Sequence, residues 1–272
     1  MECGSGTAGG DRLTSSRIDQ TEAVEQRYGA AAQEREPCLC TPVGFDPRWL
    51  EAIPSAVVER DYGCGDPTRW VRCGDRVLDL GSGSGKNAFI CAQVVGAEGA
   101  VIGVDRNAEM LQLSRSAVAD VAAAIGYTNV QFIDGAIEAL DAPDPSGRPL
   151  VDEASIDVVL SNCVLNLVNP AARDRLLSNI RRVLAPAGRI AISDIICDQP
   201  VPVHLQQDPE LWSGCISGAW QEDEFLKAFE QLGFEQVRYV DRSVEPWREL
   251  EGIKFYAATL VGQLPGCASG CC

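Results

Sequence analysis

Three cysteines stand in settings that leave their thiols available for chemistry. Cys64 and Cys215 lie in the glycine-flanked stretches YGCG and SGCISGA, and Cys163 follows an apolar run in VLSNC. Taken singly, each could be a packing residue, because a free thiol behaves as a small hydrophobe. Taken together, three thiolates form the donor set that a soft, thiophilic ion prefers. The sequence therefore predicts a site for a thiophilic species.

Composition narrows the other kinds of chemistry. The single histidine, His204, nearly excludes Ser-His-Asp catalysis and histidine-rich metal sites. The net charge of −16 argues against nucleic acid or an anionic membrane as a partner. We see no apolar run of transmembrane length and no secretory leader pattern, so we expect a cytoplasmic protein. In that reducing compartment the 12 cysteines are expected to be thiols rather than disulfides.

A glycine-rich loop, LDLGSGSGKNA, lies between a short apolar run and a helical stretch. It lacks the dinucleotide-binding spacing, since Lys86 stands where a third glycine or alanine would be needed, and it is not a P-loop. An acidic residue, Asp105, ends the next apolar run, where a carboxylate can hold ribose hydroxyls. The loop residues that we expect to contact a ligand are Asp79, Gly81, Ser82, Gly83 and Gly85.

The elements around this loop alternate between strand and helix patterns. Five apolar runs from residue 76 to 195 are separated by helical stretches, and two further strands follow a helix near residue 230. This order predicts an α/β, Rossmann-like, mostly parallel seven-stranded sheet with helices on both faces. We expect residues 1–17 to be disordered, 18–70 to be helical and loop-rich, 71–262 to form the main domain, and 263–272 to be a cysteine-rich tail.

The loop and Asp105 resemble the S-adenosylmethionine-dependent class I methyltransferases. The resemblance implies S-adenosylmethionine as the cofactor, with the loop around its amino-acid end and Asp105 at its ribose. It also places the backbone of Ile137 and the side chain of Met110 beside the adenine. Asn162, at the end of the fourth strand, would lie near the reactive sulfonium.

The three cysteine motifs YGCG, SNCVLNL and SGCISGA are similar to those of arsenite methyltransferases. The resemblance implies that Cys64, Cys163 and Cys215 hold As(III) and present it to the methyl group of the cofactor. The implied partners are trivalent arsenicals and a thiol reductant such as glutathione or thioredoxin. A lone pair on arsenic could attack an electrophilic methyl without the base that oxygen and nitrogen acceptors generally need.

Two alternatives stay open. One is a methyltransferase that acts on carbon or oxygen of a small metabolite, in which the cysteine set is coincidental. The other is a non-catalytic arsenic- or metal-sequestering protein that keeps the fold. The stretch PCLCTPVGFDP departs from the family pattern before the first motif, so the preferred arsenical is left open.

Overall fold

The computed structural model describes residues 20–36 and 43–266. Several expectations lie outside these residues. They concern the N-terminus at 1–17 and the tail cysteines Cys267, Cys271 and Cys272; Cys38 and Cys40 also lie outside the described residues.

One sheet organises the described chain. Its main path follows the order β3-β2-β1-β4-β5-β9-β7, in which β1 to β5 are parallel and β9 runs antiparallel to both of its neighbours. The prediction of a mostly parallel sheet is confirmed. Two short strands that the sequence did not reveal, β6 and β8, pair with β5 and β9. The strands are β1 (Arg76–Leu80), β2 (Ala100–Asp105), β3 (Val130–Asp134), β4 (Ile156–Asn162), β5 (Leu184–Cys197), β6 (Trp220–Gln221), β7 (Glu235–Arg242), β8 (Arg248–Leu250) and β9 (Ile253–Gln263).

Helices cover both faces of the sheet because successive strand residues point to opposite sides. Val77 packs with α4 and α5 on one face, whereas its neighbour Leu78 packs with α6 and α9 on the other. None of the helices in the described ranges combines the length and apolar character needed to span a bilayer. The helices are α1 (Gln20–Gln33), α2 (Pro47–Leu50), α3 (Ser55–Glu59), α4 (Lys86–Val95), α5 (Ala108–Ile125), α6 (Arg173–Val183), α7 (Val203–Gln206), α8 (Pro209–Ser213) and α9 (Glu222–Gln231).

Helix α6 is followed by β5 without an intervening loop. The helix ends at Val183, and Leu184 already pairs with Ile156 of β4. The cause is Pro186, because a proline disfavours helical backbone in the residue before it. The extended segment therefore starts ahead of the proline.

The parallel strands bring the chemically interesting residues to one edge of the sheet. Leu80 of β1 is in register with Val104 of β2 and Ser161 of β4, and Asn162 is in register with Ser193 of β5. The carboxyl ends of these four strands therefore meet, which is where open α/β sheets bind ligands.

Helix α1 crosses this edge and joins two of its borders. The Asn107 side chain, before α5, donates a hydrogen bond to the Glu25 carbonyl at 3.1 Å. The Arg27 guanidinium donates to the Ser213 hydroxyl of α8 at 3.1 Å. The N-terminal segment thus forms one wall of the space above the strand ends.

Candidate active site

The glycine-rich loop is shaped by close approach to β4 and by Asp105. Gly81 has φ 67°, and a Cβ atom there would overlap the side chain of Val164. Asp105 accepts hydrogen bonds from the Gly83 amide and the Asn107 amide, each at 2.8 Å. The carboxylate therefore ties the loop to the start of α5, a contact that the sequence did not reveal.

An open cavity lies above the loop, with an empty volume of about 1090 Å³ including its mouth. Asp79 and Gly85 do not line it, since Asp79 is buried in β1 and Gly85 begins α4. The other residues that we assigned to the cofactor do line it, together with Cys163: Gly81, Ser82, Gly83, Asp105, Met110, Ile137 and Asn162.

Acidic groups near the loop suit a cationic ligand. Asp79 is buried, and its Oδ2 has no hydrogen-bond partner among the described residues. Burial, followed by the charges of Asp61 and Asp105, raises the pKa of Asp79 well above its usual value. Asp61 lines the cavity and pairs with Lys86, whose ammonium lies 3.7 Å from the centre of the Phe45 ring. Asp61 and Asp105 therefore present carboxylates to the cavity, which suits the positive charges of S-adenosylmethionine, whereas Asp79 does not line it.

The three cysteines of the sequence motifs meet beside this cavity. The side chains of Cys64, Cys163 and Cys215 pack into one buried cluster, and the sulfurs of Cys163 and Cys215 lie within 4.8 Å of each other. Sγ of Cys215 also lies 3.3 Å from the carbonyl oxygen of Cys163. All three side chains are buried, and burial raises the pKa of Cys64 and, by more, that of Cys163. We refer to Cys64, Cys163 and Cys215 as the thiol cluster.

Two members of the thiol cluster have unusual backbone. Cys163 has φ 60° and Cys215 has φ 62°, in the left-handed region that L-residues rarely adopt. Each is held there by a backbone hydrogen bond, from the Cys163 amide to Ser193 at 2.8 Å and from the Cys215 amide to Trp212 at 3.0 Å. Strained backbone of this kind concentrates at functional sites.

Asn162 positions the third member. Its Oδ1 accepts from the amide of Cys64 at 2.8 Å and from that of Gly65 at 3.2 Å, and its Nδ2 donates to the Gly65 carbonyl at 2.8 Å. A side chain at Gly63 would overlap the Asn162 amide. Asn162 therefore both lines the cavity and fixes the loop that carries Cys64.

Two further groups next to the thiol cluster were missed from the sequence. The Tyr28 hydroxyl of α1 lies 4.0 Å from Sγ of Cys215, and burial raises the pKa of this tyrosine. Asp194 of β5 is buried against Cys163 and Cys215, and burial raises its pKa to about 7. Tyr28 gave no signal beyond an apolar helix position. Asp194 did give one, since an acidic residue interrupts the apolar run RIAISDI.

Comparison with known proteins supports the methyltransferase interpretation. A family profile described as a methyltransferase domain matches residues 72–233. The arsenite methyltransferase of Aquipseudomonas alcaligenes is 34% identical over 264 residues, covering 90% of this chain and 74% of that protein. The chain belongs to the arsenite methyltransferase family. Its cofactor is accordingly S-adenosylmethionine, as the loop predicted.

Other arsenite methyltransferases extend the comparison. The protein of Halobacterium salinarum is 37% identical over 221 residues, and the match covers 80% of this chain but only 52% of that protein. The crystal structure of an arsenic(III) S-adenosylmethionine methyltransferase from Chlamydomonas reinhardtii superposes with a TM-score of 0.73 at 32% identity. That match covers 84% of this chain and 76% of the other. Within this family the thiol cluster is the group whose role needs a direct test.

Replacement of Asn162 tests the positioning of the thiol cluster. Asn162→Ala removes three hydrogen bonds to the loop of Cys64. Without these hydrogen bonds the Cys64 thiol is no longer held in place for arsenic. We expect arsenite affinity to fall about tenfold, which corresponds to roughly 1.4 kcal/mol of binding free energy. Arsenite binding would be measured by equilibrium dialysis. Asn179→Ala is the control, since it removes a comparable set of four side-chain hydrogen bonds near α6, away from the thiols. Equal loss in both variants would contradict the role of Asn162.

Proposed function

We propose that this chain transfers a methyl group from S-adenosylmethionine to trivalent arsenic held by Cys64, Cys163 and Cys215, a reaction that detoxifies arsenic. The observation that carries the proposal is the convergence of these three thiols beside a cavity lined by Cys163 and by the cofactor loop. A carbon or oxygen methyltransferase would have no use for such a cluster.

The raised pKa values of two of the thiols suit arsenite as the substrate. Protonated thiols can exchange with arsenous acid, in which three S–H and three As–OH groups give three As–S bonds and three water molecules. No net charge is then buried, so the desolvation that raises the pKa of Cys64 and Cys163 does not oppose binding. The product keeps a lone pair on arsenic, which is the nucleophile.

The protein's part in the transfer is to bind and to orient. When bound, S-adenosylmethionine supplies an electrophilic methyl group. The glycine loop and Asp105 hold one side of the cavity, while Asn162 and Cys163, adjacent in the chain, connect that side to the thiol cluster. Such positioning brings a nucleophile and an electrophile into a near-attack arrangement. A general base is not required, and His204 lies on the surface, paired with Glu251 at 2.9 Å.

We infer that a thiol reductant such as glutathione or thioredoxin is a partner in turnover. When the arsenic lone pair forms a bond to the methyl group, the sulfur–methyl bond breaks and S-adenosylhomocysteine leaves, and arsenic passes from the trivalent to the pentavalent state. Return to trivalent arsenic takes two electrons, which two thiols supply by forming a disulfide that a reductant must then reopen. The cysteines of the described ranges are all free thiols, which fits the reducing cytoplasm that we propose as the location.

The test is incubation of the protein with arsenite, glutathione and methyl-labelled S-adenosylmethionine, followed by chromatography of the arsenic species. We expect label in methylated arsenicals. Stoichiometric arsenic binding without transferred label would instead support a sequestering protein. If the protein neither binds arsenic nor transfers label to it, the result would point to an acceptor on carbon or oxygen. Cys73→Ser serves as the control, because Cys73 is an exposed thiol outside the cluster.

A further inference from the structure

A second set of donor atoms overlaps the thiol cluster. Ligand atoms of Cys163, Cys215 and Asp194 lie within 4.8 Å of one another, and all three residues are buried. Cys64 packs in the same buried cluster but is not part of this trio. The thiols of Cys163 and Cys215 therefore belong to two donor sets. In one set the third donor is the sulfur of Cys64, and in the other it is an oxygen of Asp194.

The oxygen donor is held in place. Oδ1 of Asp194 accepts from the Ile195 amide at 2.8 Å, and Oδ2 accepts from the Asn166 amide at 3.3 Å. The Asn166 side chain donates to the carbonyl of Ile195 at 2.7 Å and to that of Cys215 at 3.3 Å. Asp194 is only 1% exposed. One asparagine thus connects the strand that carries the carboxylate to the loop that carries a thiol. Backbone amides do not use all of the roughly four acceptor positions of the carboxylate, so it keeps at least one for a further contact.

The two donor sets suit different ions. Arsenic(III) takes three sulfurs and keeps a lone pair. Zinc and cadmium ions have a filled d shell and accept thiolates together with a carboxylate, commonly with three protein ligands and one open position. Two thiolates and a carboxylate supply three negative charges, of which a divalent cation neutralises two. A site with this charge and burial is poorly matched to hard cations such as magnesium, which prefer oxygen ligands and retain water.

We propose that Cys163, Cys215 and Asp194 form a binding site for a thiophilic divalent cation such as Zn²⁺ or Cd²⁺. The ion displaces two thiol protons, forms two metal–sulfur bonds and one metal–oxygen bond, and leaves a fourth position for water. Because it takes two of the three thiols in the cluster, it competes with arsenite. That competition rests on the proposed function, whereas the cation site itself does not.

The test looks for one variant that loses only arsenite binding and another that loses mainly Cd²⁺ binding. Cd²⁺ is titrated by its sulfur-to-cadmium charge-transfer absorbance, and arsenite by equilibrium dialysis. Cys64→Ser is expected to lose arsenite binding while retaining Cd²⁺ affinity. Asp194→Asn is expected to lower Cd²⁺ affinity about tenfold or more, since a neutral amide oxygen is a weaker ligand, and to change arsenite affinity far less. Cys73→Ser is the control for a thiol outside both sets.

Two additions keep the experiment interpretable. Other cysteines bind Cd²⁺ as well. Binding at this site is therefore taken as the charge-transfer absorbance of each protein minus that of Cys163→Ser, in which the site is incomplete. Asp194→Cys replaces the oxygen by a third thiolate and is expected to raise the charge-transfer intensity of the site by about half. Thermal melting and S-adenosylmethionine binding confirm that each variant is folded. If Asp194→Asn does not fold, Asp194→Cys tests the role of Asp194 in its place.

The outcomes separate this proposal from the methyltransferase activity. Equal loss of Cd²⁺ and arsenite in Cys64→Ser, wild-type Cd²⁺ affinity in Asp194→Asn, or unchanged intensity in Asp194→Cys would each overturn the cation site. If the variants show the expected differences in Cd²⁺ binding but the wild-type protein methylates no arsenic, the cation site stands and the proposed function fails.

Discussion

Cys163→Ser and Cys215→Ser are each expected to abolish methylation of both arsenite and monomethylarsonous acid. A serine hydroxyl is a hard, protonated and poor ligand for arsenic. Cys163 is central to the thiol cluster, because it packs with the other two thiols and, of the three, it alone lines the cavity. Cys215 is needed for both substrates, since an arsenical that already carries one methyl group still requires two thiolates.

Cys64→Ser should separate the two substrates. Arsenite needs three sulfurs, whereas in monomethylarsonous acid carbon already fills one position, so we expect the first activity to fall more than the second. Product formation from each substrate would be measured for each folded variant, with S-adenosylmethionine affinity as the reference. Cys73→Ser and Cys91→Ser are the controls, since one thiol is exposed and the other is buried in α4. If both Cys163→Ser and Cys215→Ser kept wild-type rates, the assignment of the arsenic site would be wrong and a small-metabolite acceptor would be favoured.

Asp105→Ala is expected to weaken S-adenosylmethionine binding by roughly tenfold to a hundredfold. A hydrogen bond to a charged carboxylate contributes about 1.5 to 3 kcal/mol, and ribose hydroxyls are the partners that we predict for it. The structure adds a second cause, since Asp105 also holds the amides of Gly83 and Asn107 at 2.8 Å. Isothermal titration calorimetry with S-adenosylmethionine measures the effect.

A matched control is available at the neighbouring strand end. Asp134 ends β3 in register with Asp105, yet it is exposed and does not line the cavity. Asp134→Ala should therefore keep the wild-type affinity. Asp105→Asn retains the shape of the side chain without its charge and separates the loss of charge from the loss of loop support. The ribose assignment would be wrong if Asp105→Ala bound the cofactor as tightly as Asp134→Ala.

The repeated units of the fold were readable from the sequence because each strand and helix carries its own periodic pattern. The largely buried strands β1 and β4 appear as mainly apolar runs, and the loop between β1 and α4 is marked by its glycines. The short strands β6 and β8 carry no such pattern. With two and three residues, they are defined only by the strands that they pair with.

The candidate site was readable in part, for a similar reason. Gly81 and Cys163 belong to local motifs whose placement follows from the strand that precedes them. Tyr28 and Asp61 reach the site only because the N-terminal segment crosses the strand ends, and nothing in their neighbouring residues encodes that path. Asn162 was expected to face the cofactor. Its clamp on the Cys64 loop depends on two segments that lie 98 residues apart in the chain.

The left-handed backbone at Cys163 and Cys215 bears on how easily this chemistry could be lost during evolution. Glycine adopts that conformation freely, whereas other L-residues incur a cost of roughly 1 to 2 kcal/mol. Replacement of either thiol by glycine relieves this strain and offsets part of the lost packing, so the sheet and its helices persist. Cys91 differs, because it lies inside α4, where glycine is unfavourable. Selection for a stable fold therefore protects Cys91 more than it protects the two thiols, and we expect their retention to depend on the function that we propose for them.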